Sequence, residues 1–118
     1  MYMKRILLID DNRDILETFN YMLTDLNYSV TTCIDSTEGL SKAINEDFEL
    51  ILTDYEIPNK NGCEIIKEVK RVKPNSAIYL LTGYYEENVI NKAREVGATG
   101  IMNKPFEVSK IISILKYL

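Results

Sequence analysis

The stretch Ile51-Leu52-Thr53-Asp54-Tyr55-Glu56-Ile57-Pro58-Asn59-Lys60-Asn61-Gly62 decides how the chain is read. An apolar run stops on one carboxylate, Asp54. A loop of Pro, Asn and Gly follows, and a new apolar periodicity opens at Gly62. A short, continuous apolar run fits a strand buried on both faces. The spacing of Ile65, Ile66, Val69 and Val72 fits one face of a helix. In sheets built from strand-loop-helix units, ligands bind at the carboxyl ends of the strands. Asp54 is therefore expected at a mouth and not in a core.

The same grammar repeats on either side. Lys4 to Ile9 reads as a buried strand and ends on Asp10, Asp11 and Asn12. Ile15, Leu16, Phe19, Met22, Leu23 and Leu26 then recur at helical spacing, with Asn27 as the stop. Tyr28 to Ile34 is β-branched and aromatic but half polar, as an edge strand is. Asp35 with Glu38 resembles a capping pair before a helix carrying Leu40, Ala43 and Ile44. Glu49 to Asp54 is the third strand, and Pro74 stops the helix after it. Ser76 to Leu81 is the fourth strand, followed by the loop Thr82-Gly83-Tyr84-Tyr85. Val89, Ile90, Ala93 and Val96 mark the next helix, with Gly97 suited to a left-handed close. Thr99 to Asn103 is a short fifth strand, broken by Lys104-Pro105. Val108, Ile111, Ile112, Leu115 and Leu118 mark the last helix.

Strict βα alternation predicts an α/β domain over residues 1–118: a flavodoxin-like, doubly wound (βα)5 fold with a five-stranded parallel sheet in the order 2-1-3-4-5. The second and fifth strands would be its edges. Asp10, Asp11 and Asp54 would line the crevice between the first and third.

Composition bounds the chemistry. The chain has 118 residues, 46% hydrophobic and 27% charged, as an ordinary globular domain does. A net charge of −4 argues against a nucleic-acid footprint. No apolar run reaches membrane-spanning length, and the run after Met1-Tyr2-Met3-Lys4-Arg5 is too short for a signal peptide. Cys33 and Cys63 both fall in apolar periodic segments, so buried free thiols in a reducing, cytoplasmic compartment are expected. The chain has no histidine, so it offers no phosphohistidine, no imidazole base and no imidazole ligand. Such chemistry must use carboxylates or come from a partner.

Carboxylates gathered at one mouth repel one another and raise at least one pKa unless a cation is near. Hard oxygen ligands, few in number, suit Mg²⁺, which keeps waters and leaves room for phosphate oxygens. Thr82 adds a hydroxyl, Lys104 a positive charge, and Gly83 room for backbone approach. One carboxylate can act as a nucleophile and carry a phosphoryl group. Singly, each residue has a plain reading: an aspartate as turn former or helix cap, a turn threonine, a solvated lysine. Together they fall at the ends of the first, third, fourth and fifth strands.

Asp10-Asp11, Asp54, the Ile57-Pro58…Asn61-Gly62 loop, Leu81-Thr82-Gly83 and Lys104-Pro105-Phe106 resemble the signature of bacterial two-component response-regulator receiver domains. The resemblance spans the whole chain. It implies that Asp54 accepts a phosphoryl group from a sensor histidine kinase or a histidine phosphotransfer protein. It also implies that Asp10, Asp11, Asp54 and the backbone carbonyl of Glu56 hold Mg²⁺. Thr82 would bond the phosphoryl group, Lys104 would pair with it, and the Lys104-Pro105 bond would be cis. The domain would be a signalling acceptor and no enzyme in the usual sense. It would switch a surface read by a downstream protein, with no direct contact to nucleic acid or membrane.

Starting at a Met and closing on the last helix, the chain is expected to be a stand-alone receiver, the alternative being one excised from a longer regulator. No acidic residue lies between Ala98 and Lys104, which weakens the case for the dimer typical of DNA-binding relatives. Three other readings stand beside this one. A degenerate receiver would act as a phosphorylation-independent interaction module. A haloacid-dehalogenase-type phosphatase would need a second aspartate two residues past the first-strand nucleophile. A flavodoxin-type carrier would need hydroxyls where Asp10-Asp11 stand. By resemblance, Glu56 and Tyr84 flank the phosphoryl group and tune its hydrolysis. Ile101 stands where many receivers carry an aromatic ring that swings on activation. A β-branched side chain is stiff at χ1, so signalling would shift to the 82–85 loop and to the face of the fourth helix, fifth strand and fifth helix, with Ile114, Tyr117 and Leu118.

Overall fold

The computed structural model describes residues 2–83, 86–105 and 107–118. Tyr84, Tyr85 and Phe106, to which roles are assigned above, lie outside them. The elements alternate without exception: β1 (Arg5–Ile9), α1 (Arg13–Asp25), β2 (Ser29–Cys33), α2 (Ser36–Asn45), β3 (Leu50–Asp54), α3 (Gly62–Val72), β4 (Ile78–Thr82), α4 (Glu87–Glu95), β5 (Gly100–Asn103) and α5 (Val108–Leu115). All pairings are parallel, and the strand order is β2-β1-β3-β4-β5. This is the architecture expected from the alternation. Among the described residues, no helix is long and apolar enough to cross a membrane.

Alternation along the strands divides the core into two layers. Leu7, Ile9, Ile51, Ile78 and Leu80 point to one face and pack with Ala43 of α2, Ile65, Ile66 and Val69 of α3, and Val89 and Ala93 of α4. Ile6, Leu8, Leu50, Leu52, Leu81 and Met102 point to the other and pack with Leu16 and Leu23 of α1 and Ile111 and Leu115 of α5. Because both faces of β1 and β3 are covered, the chain is apolar at every position from Ile6 to Ile9 and from Leu50 to Leu52. Cys33 and Cys63 are buried and unpaired in the first layer. Burial, then the negative charge of Glu38, pushes the Cys33 thiol up to about 12. Burial likewise raises Cys63.

Helix starts are set by local chemistry. Asn12 caps α1, its side chain accepting from the backbone N–H groups of Asp14 and Ile15. Asp35 caps α2 and accepts from Glu38. Asn61 and Glu64 form a reciprocal capping box on α3. Gly97 takes φ +98 after α4, and Asn27 takes φ +69 after α1. Each strand differs from the sequence reading by one or two residues at one end or both, and β4 shows why. Leucine was expected to close the fourth strand, but β4 runs on through Thr82. The Thr82 carbonyl accepts from Lys104 N at 2.9 Å and extends the ladder with β5. At its start, β4 begins at Ile78 instead of Ser76, because Ser76 N turns back to the Lys73 carbonyl.

Candidate functional site

Parallel register brings the ends of the central strands to one edge. Ile9 pairs with Thr53, so Asp10 and Asp54 are the next residues along on adjacent strands. Asp54 pairs with Leu81, which puts Thr82 one step further out on β4. Thr82 in turn pairs with Asn103, and Lys104 follows. Residues separated by most of the chain thus meet within one crevice.

Asp10 and Asp11 part company here. Asp10 is buried, 2% exposed. Its Oδ1 accepts from Asn12 N and its Oδ2 from Lys104 Nζ at 2.6 Å. Asp11 is exposed. Neither caps α1, since Asn12 does. Carboxylate oxygens of Asp10, Asp11 and Asp54 lie within 4.8 Å of one another. Asp54 ends its strand as expected but is only 8% exposed. It is enclosed more than a strand-end residue need be, because Lys104 reaches in to 3.2 Å from its Oδ1. The same oxygen accepts from Tyr55 N at 3.0 Å.

The electrostatics follow. Burial, then the charge of Asp10, raises the Asp54 pKa from 3.8 to about 6, against the opposing pull of Lys104 and the Tyr55 N–H. For Lys104, burial alone would favour the neutral amine, but the hydrogen bond and charge of Asp10, then of Asp54, outweigh it and raise the pKa. One lysine therefore serves two buried carboxylates, and the third stands beside them unburied. Such a site is short of positive charge. Its donors are all carboxylate oxygens, which fits a small hard cation that keeps some of its waters.

The loop from β3 to α3 closes one side. Gly62 is built into its root: a Cβ there would meet the Asp54 carbonyl oxygen at 2.5 Å and Leu80 Cδ1 at 2.5 Å. Gly62 N donates to the Tyr55 carbonyl at 2.8 Å. Ile57 is buried in the first layer and pins the middle of the loop. Glu56, next to it, is exposed. Thr82 is buried and Gly83 exposed at the far side of the mouth. The Lys104-Pro105 bond is cis. Ile101 is half-buried and packs against the layer that holds Val89 and Ala93.

One polar contact at this loop escapes a reading of the sequence. Ser36, the first residue of α2, is fully buried (0% exposed). Its hydroxyl donates to the Pro58 carbonyl at 2.7 Å and accepts from Lys60 N at 3.0 Å. A serine after a capping aspartate looks like an ordinary first-turn residue, so nothing local marks it.

The sequence model of the response regulator receiver domain family matches residues 6–116. A response regulator receiver protein of Anaeromyxobacter sp. is 31% identical over 112 residues, 95% of this chain and 47% of the relative. Sporulation initiation phosphotransferase F of Bacillus subtilis is 29% identical over 119 residues, 100% of this chain and 96% of the relative. The chain thus spans about half the length of the first and nearly all of the second. Among solved structures, a CheY-like response regulator receiver domain protein from Methanospirillum hungatei superposes with a TM-score of 0.93 at 28% identity, covering 98% of this chain and 93% of the other.

Proposed function

The chain belongs to the response regulator receiver domain family of two-component systems, and from that premise we propose that Asp54 accepts a phosphoryl group from a phosphohistidine on a partner protein. The phosphatase and flavin-carrier alternatives give way to this reading. The observation that carries it is the enclosure of Asp54 between Asp10, Asp11 and the ammonium of Lys104.

In the proposed transfer, a carboxylate oxygen of Asp54 attacks phosphorus, the bond from phosphorus to the histidine nitrogen breaks, and the imidazole leaves with the electron pair. The chain has no histidine, so the donor must be another molecule. Asp10, Asp11, Asp54 and the Glu56 carbonyl are the groups that would hold Mg²⁺, which neutralises charge on the transferred oxygens when bound. Lys104 holds the acceptor carboxylate in place and is the cation that can pair with a phosphoryl oxygen. Thr82 supplies a hydroxyl at the mouth. Positioning and charge neutralisation are most of what phosphoryl transfer needs. The domain is then a stoichiometric acceptor and not a turnover enzyme. It presents a surface to a downstream protein and makes no direct contact with nucleic acid.

Incubation with a small phosphodonor and Mg²⁺, followed by intact mass measurement, tests this. Wild type should gain one phosphoryl group and Asp54→Asn none. Equal labelling of the two, or none in wild type, overturns the proposal. The second outcome would favour a phosphorylation-independent interaction module.

A further inference from the structure

The β3–α3 loop contains a turn that does not hold itself. Asn59 has φ +80, and Lys60 N donates back to the Pro58 carbonyl at 3.2 Å. A hydrogen bond from residue i+2 to residue i across a central positive φ is the mark of a γ-turn that is rare and strained. A strained backbone of this kind persists only where its surroundings over-determine it. Here the outside restraint is Ser36. Its hydroxyl touches both ends of the turn, donating to Pro58 and accepting from Lys60. Its side chain is fully buried, so the hydroxyl itself is held away from water. It belongs to α2, whose start is itself fixed by the Asp35 cap.

We propose that Ser36 is a positioning residue for the cation site: it clamps the turn at Asn59 and so fixes the path of the Tyr55–Ile57 backbone, including the Glu56 carbonyl. The loop is anchored at its start by Tyr55 N to the Leu81 carbonyl and at its end by Gly62 N to the Tyr55 carbonyl. The Ser36 bonds restrain the stretch between those anchors. Because Ser36 lies outside any ligand set, it acts through the loop, as groups that orient metal ligands do. This rests on the reading of the acidic crevice as a Mg²⁺ site.

The test compares wild type, Ser36→Ala, Ser36→Thr and Ile6→Val, the last a core truncation in the other layer that lowers stability without touching the loop. Mg²⁺ is titrated and followed by amide NMR shifts, and Lys60 amide exchange is measured without metal. Ser36→Ala should weaken Mg²⁺ binding about 10-fold, the low end for loss of an outer-shell partner. Its Lys60 amide should exchange faster, beyond any loss of global stability. Ser36→Thr keeps the hydroxyl and should retain affinity, and Ile6→Val should bind Mg²⁺ as wild type does. Unchanged affinity in Ser36→Ala overturns this proposal alone, as does an equal loss in Ile6→Val. Wild type that binds no Mg²⁺ removes the reading of the crevice, and this proposal with it.

Discussion

The ammonium of Lys104 stands 2.6 Å from Oδ2 of Asp10, a residue 94 positions away in sequence. It is closer to Asp10 than to Asp54, the proposed acceptor, at 3.2 Å. Lys104 is therefore the charge that lets two neighbouring carboxylates be buried together. Any second cation or transferred phosphoryl group must enter a site where one ammonium is already shared by two of three carboxylates.

Truncating that lysine leaves both carboxylates unneutralised. Lys104→Ala should lose about 2 kcal/mol of stability at neutral pH without metal, below the range for breaking a fully buried pair because Lys104 keeps some solvent contact. Saturating Mg²⁺ should restore part of the loss, since the cation neutralises the same carboxylates. Urea unfolding with and without Mg²⁺ checks this. An equal deficit in both conditions would contradict it.

Asp54 gives the metal-free protein a pH dependence of known sign. Its folded pKa of about 6 lies above the unfolded value of 3.8. Between the two, the folded state holds a proton that the unfolded chain has released. The contribution of Asp54 is thus most favourable below about pH 4 and is lost as pH rises through about 6. Asp54→Asn removes that titration and should be more stable than wild type at neutral pH by on the order of 2 kcal/mol. The gap should close on acidification. Unfolding curves of both proteins in chelator across this range measure it, and a gap that widens at low pH would refute the assignment.

Gly62→Ala should destabilise by about 1–3 kcal/mol, the usual cost of overpacking. The added methyl meets the Asp54 carbonyl, which is backbone and cannot swing aside. Because that backbone also carries Asp54, the proposed acceptor, Mg²⁺ affinity should fall with stability. A variant with wild-type stability by urea unfolding would show that the β3–α3 junction yields more easily than its geometry implies.

Glu56 is exposed beside the mouth. Its carboxylate is expected to repel or misorient an incoming water, which lengthens the life of the phosphoryl group. Glu56→Asn should shorten that lifetime several-fold, read from decay of the labelled protein by mass. An unchanged rate would mean that this side chain takes no part.

Ile101 should keep one rotamer when a phosphoryl mimic binds with Mg²⁺, because it is β-branched and packed against the α4 side of the core. The amide signals around Gly83 to Glu86 should move instead. Methyl and amide NMR spectra separate the two. A new Ile101 rotamer with an unmoved loop would overturn this route.

By itself the sequence determined the fold and the edge at which chemistry gathers. Apolar runs ending on Asp10, Asp54, Thr82 and Lys104 are local signals, and strict βα alternation leaves few topologies. It determined Asn61 and Gly62 as a loop end for the same reason, since turn and cap chemistry is written within a few residues. Tertiary structure alone decided how the aspartates divide their surroundings. Asp10 is buried on Lys104 while its neighbour Asp11 is exposed, because successive residues past a strand end face different sides. It alone decided that Thr82 completes β4, through a bond to Lys104 N. And it alone brought Ser36 to the turn at Asn59. That contact spans separate elements, and no periodicity, cap or spacing encodes which buried hydroxyl will meet which backbone groups.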